Sequence, residues 1–213
     1  MALSSRFLIA PIFLAGAIVA PAQQSAPIVQ PGAPGQPGKL LTEATVRPPS
    51  KAPFGADVEF MQGMIMHHQQ AVDMVALLRT RVKSPVLRSF GEKIAISQSD
   101  EIRFMKQWLE SRGKPTTMEM NMSAADMKNM LMPGMLTPEQ MAALTKARGA
   151  QFDHLFLTGM IQHHGGALTM VNELFRTPGA AQDPVLFDFA TDIDATQSAE
   201  IKIMQGMLDQ EKK

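Results

Sequence analysis

The chain has 213 residues, with 20 Lys plus Arg against 20 Asp plus Glu, 18 methionines, five histidines, and neither cysteine nor tyrosine. A formal charge of zero offers no electrostatic footprint for nucleic acid or any other polyanion. The missing residue types exclude disulfides, a lipidated N-terminal cysteine, thiol catalysis and tyrosyl chemistry.

The first predicted element is an export signal. Residues 1–22 carry a basic Arg6, an apolar run from Phe7 to Val19 and the small-residue stretch Ala20-Pro21-Ala22, the pattern of a secretory signal peptide cut at about Ala22/Gln23. The apolar run is shorter than the roughly 20 residues a spanning helix needs, and no later segment is a better candidate. No membrane span is therefore expected after cleavage. Residues 23–53 are rich in proline, glycine and glutamine and lack periodic apolar positions. Such a stretch buries too little surface to offset its ordering entropy and reads as a disordered linker.

The folded domain is expected over 54–213. A helical period runs from about Asp57 and breaks at "KSP" (83–85), "SRGKP" (111–115), "MPGMLTPEQ" (132–140) and "TPGAAQDP" (177–184). Pro85, Pro138 and Pro184 stand where helices should start, with Ser84, Thr137 and Asp183 as the caps before them. No stretch alternates as a strand does, so the fold class is all-α.

Within this domain the chain repeats itself. Asp57, Phe60, Gly63, Met64, Ile65, His67, His68, Ala71, Met74 and Val75 recur at the same spacing as Asp153, Phe156, Gly159, Met160, Ile161, His163, His164, Ala167, Met170 and Val171. "ISQSDEIRFMKQW" (96–108) is echoed by "DATQSAEIKIMQGM" (194–207). Repeat one (54–112) and repeat two (149–210) each read as a helical hairpin, and two hairpins joined by a methionine-rich connection (113–148) make a four-helix bundle.

At about 100° per residue, Phe60, Met64, His67, His68, Ala71, Val75 and Leu78 share one face of the first helix, with Gln62, Gln69 and Asp73 opposite. The second copy gives the same face in Phe156, Met160, His163, His164, Ala167, Val171 and Leu174. On the partner helices Ser97, Gln98, Glu101 and Met105, and correspondingly Thr196, Gln197, Glu200 and Met204, turn inward. Buried imidazoles and carboxylates need partners, and each repeat supplies both.

Two readings meet that need. In one, Glu101 and Glu200 hydrogen-bond to histidines in networks that fix helix register and bind nothing. In the other, the inward polar set holds a metal: imidazole suits copper, zinc and iron, and the carboxylate ligates or fixes the histidine tautomer. Met64 and Met160 stack their thioethers on the histidine faces, and soft sulfur favours Cu(I), and Ag(I) by similar softness. Adjacent helical residues diverge by about 100°, so one histidine of each pair suits a central site and the other a contact between helices. Met118, Met120, Met122, Met127, Met130, Met132 and Met135 punctuate the connection, either as flexible thioether capture or as an oily loop across the bundle end. An enzyme of the carboxylate-bridged di-metal kind would want Glu-x-x-His, yet positions 104 and 203 are Phe and Ile. His154 has no counterpart in the first copy, where Val58 stands, and reads as a surface residue.

The doubled "F-[ML]-x-G-M-I-x-H-H" followed by "Q-S-x-E-I-x-x-M", with "MPGML" between, resembles the exported bacterial family catalogued as domain of unknown function 305. The resemblance runs from about Phe54 to Leu208. It implies a ferritin-like four-helix bundle, a periplasmic or secreted location, and kinship with periplasmic copper-binding proteins. Carried over by position, it implies metal candidates at Met64, His67, His68, Met160, His163 and His164, with Gln98, Glu101, Gln197 and Glu200 matching the second-helix signature. The function expected is Cu(I) or Ag(I) sequestration or transfer.

Overall fold

The computed structural model describes residues 28–30, 37–41, 55–118 and 131–211. The signal expected at 1–22 lies outside these residues, as do Met120, Met122, Met127 and Met130. The chain divides into two units, Met1–Ser50 and Lys51–Lys213. In the first, Ile28–Gln30 (β1) pairs antiparallel with Lys39–Leu41 (β2), Val29 opposite Leu40. The pair lies within 23–53, the stretch expected to be a disordered linker, and outside the domain expected to be all-α. Both triplets are largely apolar and flank a run of proline and glycine; a three-residue strand is too short for alternation to reveal it.

The described residues of the second unit are helical, with no strand among them: α1 (Gly55–Ala76), α2 (Leu78–Arg81), α3 (Pro85–Glu110), α4 (Pro138–Lys146), α5 (Gly149–Arg176) and α6 (Pro184–Glu211). No helix among the described residues is long and apolar enough to cross a membrane. The expected caps hold three of the starts. Ser84 Oγ accepts from the Leu87 N–H at 3.2 Å, and Thr137 and Gln140 form a reciprocal capping box. Asp183 accepts from the N–H groups of Val185 and Leu186 at 2.9 and 3.2 Å. Each such cap contributes about 1 kcal/mol. Burial raises the Asp183 pKa, but bonds from Arg112 and these amides outweigh it and hold the carboxyl below its ordinary value.

α1 packs on α3, α5 on α6, and α1 on α5. The apolar interior falls into two clusters. One contains Phe60, Met64 and Ile65 of α1, Ile102, Met105 and Trp108 of α3, Ala167 to Leu174 of α5, and Leu186 to Ile193 of α6. The other contains Ala71 to Val75, Leu87 and Ile94, Phe152 to Met160, and Met204. On every long helix the changeover falls at buried polar residues: His67 and His68, Gln98, His163 and His164, Gln197.

Two buried aspartates brace the repeats against each other. Asp57 of α1 accepts from the Ala181 N–H at 2.8 Å, in the turn between α5 and α6. Asp153 of α5 accepts from the N–H groups of Lys83 and Ser84 at 2.9 and 2.8 Å, in the turn before α3. Each first helix thus satisfies backbone donors that the other hairpin's turn leaves unpaired.

Candidate metal centre

The helix wheel places all four paired histidines inward, and each is 0% exposed. His67 and His163 meet across α1 and α5 with ring centroids 3.8 Å apart. Their neighbours diverge as a helix requires: His68 Nε2 donates to Glu101 Oε2 and His164 Nε2 to Glu200 Oε2, both at 2.6 Å. The two glutamates sit at the rim, their side chains 20% and 15% exposed. Thr196, expected inward beside Gln197, is exposed instead.

Hydrogen bonding fixes the tautomers. His67 Nε2 lies 2.9 Å from the Pro133 carbonyl oxygen and His163 Nε2 lies 2.8 Å from that of His67. A carbonyl only accepts, so both Nε2 atoms carry the proton. Burial, then the neighbouring His68, lowers the His67 pKa to about 3. Burial, then His67 and the other paired histidines, lowers that of His163 well below its ordinary value. Both rings are therefore neutral near pH 7, and each Nδ1 is a bare lone pair. Burial pushes Glu101 up, but the hydrogen bond and charge of His68 and the Ser97 hydroxyl outweigh it and keep the carboxylate ionised.

The Nδ1 atoms of His67, His68, His163 and His164 find no hydrogen-bond partner among the described residues, and neither amide atom of Gln98 or Gln197 does. Met64 and Met105 border this polar layer from one apolar cluster, Met160 and Met204 from the other, and all four are 0% exposed. Unpartnered imidazole nitrogen beside buried thioether is a donor set that fits a soft or borderline ion. No group of three or more His, Asp or Glu among the described residues is arranged to hold an ion. Any ion in the layer would therefore rely on methionine sulfur or the glutamine amides to complete its shell.

Sequence reasoning missed the strap formed by residues 132–136. Gln70 clasps it, donating to the Leu136 carbonyl at 3.0 Å and accepting from the Leu136 N–H at 2.7 Å. Gln162 donates to the carbonyls of Gly134 and Met135 at 3.3 and 3.2 Å. A Cβ on Gly166 would stand 1.9 Å from the Pro133 oxygen, so backbone meets backbone only because that residue is glycine. Gln70 and Gly166 occupy matching positions of the two copies. Their difference was the signal, legible once a segment present in single copy is known to cross both first helices.

Gln62, expected on the outer face, is buried and donates to the carbonyls of Pro115 and Thr117 at 2.8 and 3.1 Å, because the chain after α3 folds back over it. Met135 is half-buried in the strap. His154 is on the surface, 2.9 Å from Glu211.

A family model described as Domain of unknown function (DUF305) matches residues 57–208. The chain belongs to this family. A DUF305 protein from Streptomyces coelicolor has a solved structure with a TM-score of 0.63 at 28% identity, over 73% of this chain and 93% of that one. A DUF305 fragment from Deinococcus radiodurans gives 0.64 at 29%, over 75% and 99%. CopM in its Cu(I)-bound form gives 0.57 at 28%, over 72% and 96%, and CopM structures with Cu(II) and with silver are also similar to this DUF305 chain. The uncharacterised protein L153 of Acanthamoeba polyphaga mimivirus is 36% identical over 59 residues, which is 28% of this chain and only 39% of that protein.

Proposed function

We propose that this chain is an exported binder of Cu(I) or Ag(I), for sequestration or transfer, in which imidazole Nδ1 and methionine sulfur hold the ion inside a duplicated, ferritin-like four-helix bundle. The observation that carries this reading is the set of four fully buried imidazoles whose Nε2 atoms are all engaged and whose Nδ1 atoms are not. An unpaired buried polar atom costs about 1–3 kcal/mol, a cost that leucines of similar size would remove. A ligand that takes lone pairs accounts for keeping the histidines.

The choice of a soft ion rests on Met64, Met105, Met160 and Met204 flanking the layer, since thioether prefers Cu(I) to harder ions. Similarity to CopM, solved with copper and with silver, supports the same choice. Other transition ions that accept imidazole remain within reach of these donors. Export is supported by the signal pattern in residues 1–22 and by the Streptomyces coelicolor relative, which is described as secreted. The matched His–Glu pairs and the reciprocal Asp57 and Asp153 braces support duplication.

The two His–Glu bonds also favour a second reading, in which the histidines serve only helix register. A competitive Cu(I) titration of the protein, beside a variant with His67, His68, His163 and His164 all replaced by Leu, separates the two. Uptake reduced by the histidine-held ion in a still-helical variant is the expected result. Equal uptake by both moves the site out of the bundle, and uptake by neither leaves the histidines as structural pairs.

A further inference from the structure

Gly63 faces three methionines from three parts of the chain. Where a Cβ of residue 63 would stand, Met118 Cε lies 3.2 Å away, Met132 Sδ 3.3 Å and Met170 Cε 3.4 Å. Three thioether ends therefore surround one point that any side chain at position 63 would crowd. Each is brought there by identifiable contacts. The Gln62 amide binds the carbonyls of Pro115 and Thr117 and so delivers Met118. His67 holds the Pro133 carbonyl, which fixes Met132 beside it. Met170 comes from the buried face of α5.

The matching position in the other repeat is different. A Cβ on Gly159 would meet Met74 Cε at 3.3 Å, the counterpart of Met170, but its other neighbour is Leu136, at 3.0 Å. Thr158 stands where the first copy has Gln62, and its hydroxyl turns back to its own helix at His154. One cradle is closed by two methionines of the connection, Met118 and Met132, and the other by Leu136. Packing alone needs no such distinction, because leucine and methionine fill nearly the same volume.

We infer that Met118, Met132 and Met170 form a second, sulfur-only site for a monovalent soft cation, Cu(I) or Ag(I), over Gly63. Thioether is neutral and polarisable, so three of them suit a soft monovalent ion and discriminate against hard divalent ones. Met118 and Met132 are half-buried while Met170 is 9% exposed, so the site opens outward and closes inward. Gly63 lies one helical turn before His67, which makes the cradle a station between solvent and the imidazole layer. The inference shares with the proposed function only the softness of the ion, and it stands or falls separately.

The test uses protein labelled with ¹³C at the methionine methyl groups, with Ag(I) added and the methyl resonances assigned by single Met→Leu changes. At the first equivalents, the signals of Met118, Met132 and Met170 should shift together, both in the wild type and in the variant whose four paired histidines are Leu. The triple variant M118L/M132L/M170L should bind one Ag(I) fewer while keeping the histidine-dependent uptake; if it loses helicity, M118L/M132L provides the same readout from half-buried positions. Unmoved signals at stoichiometric Ag(I), or an undiminished count in the triple variant, overturn the site. Uptake undiminished by replacing the four histidines, with the methionine shifts intact, would overturn only the imidazole centre.

Discussion

The two repeats agree at their core and differ where the connection touches them. His68–Glu101 and His164–Glu200 are both 2.6 Å long, and Asp57 and Asp153 each grip the other hairpin's turn. Yet His67 donates to the strap at Pro133, whereas His163 donates to the His67 carbonyl, and Gly63 faces Met118 and Met132 where Gly159 faces Leu136. A repeated sequence folds into matched hairpins because the same contacts recur. A segment present once cannot lie on both in the same way, so asymmetry enters through it.

The largest test of the shared core is pH. His67 and His163 have folded pKa values below the ordinary 6.5, so protons bind the unfolded chain first and stability falls as pH drops below 6.5. Each ring contributes a slope of about 1.4 kcal/mol per pH unit, or about 5 kcal/mol for both between pH 6.5 and 4.5. Glu101 adds to the loss in the same direction: its contribution is present above its ordinary value of 4.5 and disappears as pH falls through its lowered folded value. Urea melts of the metal-free protein at pH 7.5, 5.5 and 4.5 measure the slope. His67→Leu and His163→Leu should each remove half of it; unequal halves would break the equivalence of the copies.

The strap gives the next effect, and an unequal one. Gly166→Val drives a side chain into the Pro133 carbonyl and should cost about 3 kcal/mol or more. Gln70→Ala at the matching position removes two hydrogen bonds to Leu136 and should cost about 1–2 kcal/mol. Thermal melts that rank them the other way would mean the strap is held mainly from α1. Smaller still is the contrast between the braces. Asp153→Asn leaves one of two backbone donors without a carboxylate oxygen, at about 2 kcal/mol, whereas Asp57→Asn keeps its single acceptor and should cost about 1 kcal/mol or less. Equal losses would show that charge rather than acceptor count sets the cost.

Sequence periodicity by itself determined a great deal of this protein. The inward placement of the paired histidines and of Gln98 and Gln197, and the caps at Ser84, Thr137 and Asp183, follow from helical geometry and from the cost of burying polar groups alone. Those are local rules, and they read correctly from one strand of text. Tertiary structure alone decided which histidine of each pair faces its twin, how Gln62 comes to be buried, and why Gly166 stands where Gln70 does in the other copy. Each of these depends on a backbone carbonyl delivered from far along the chain, at Pro115, Thr117 or Pro133. A carbonyl is carried by every residue and leaves no mark in the sequence, so only the path of the folded chain reveals which one is used.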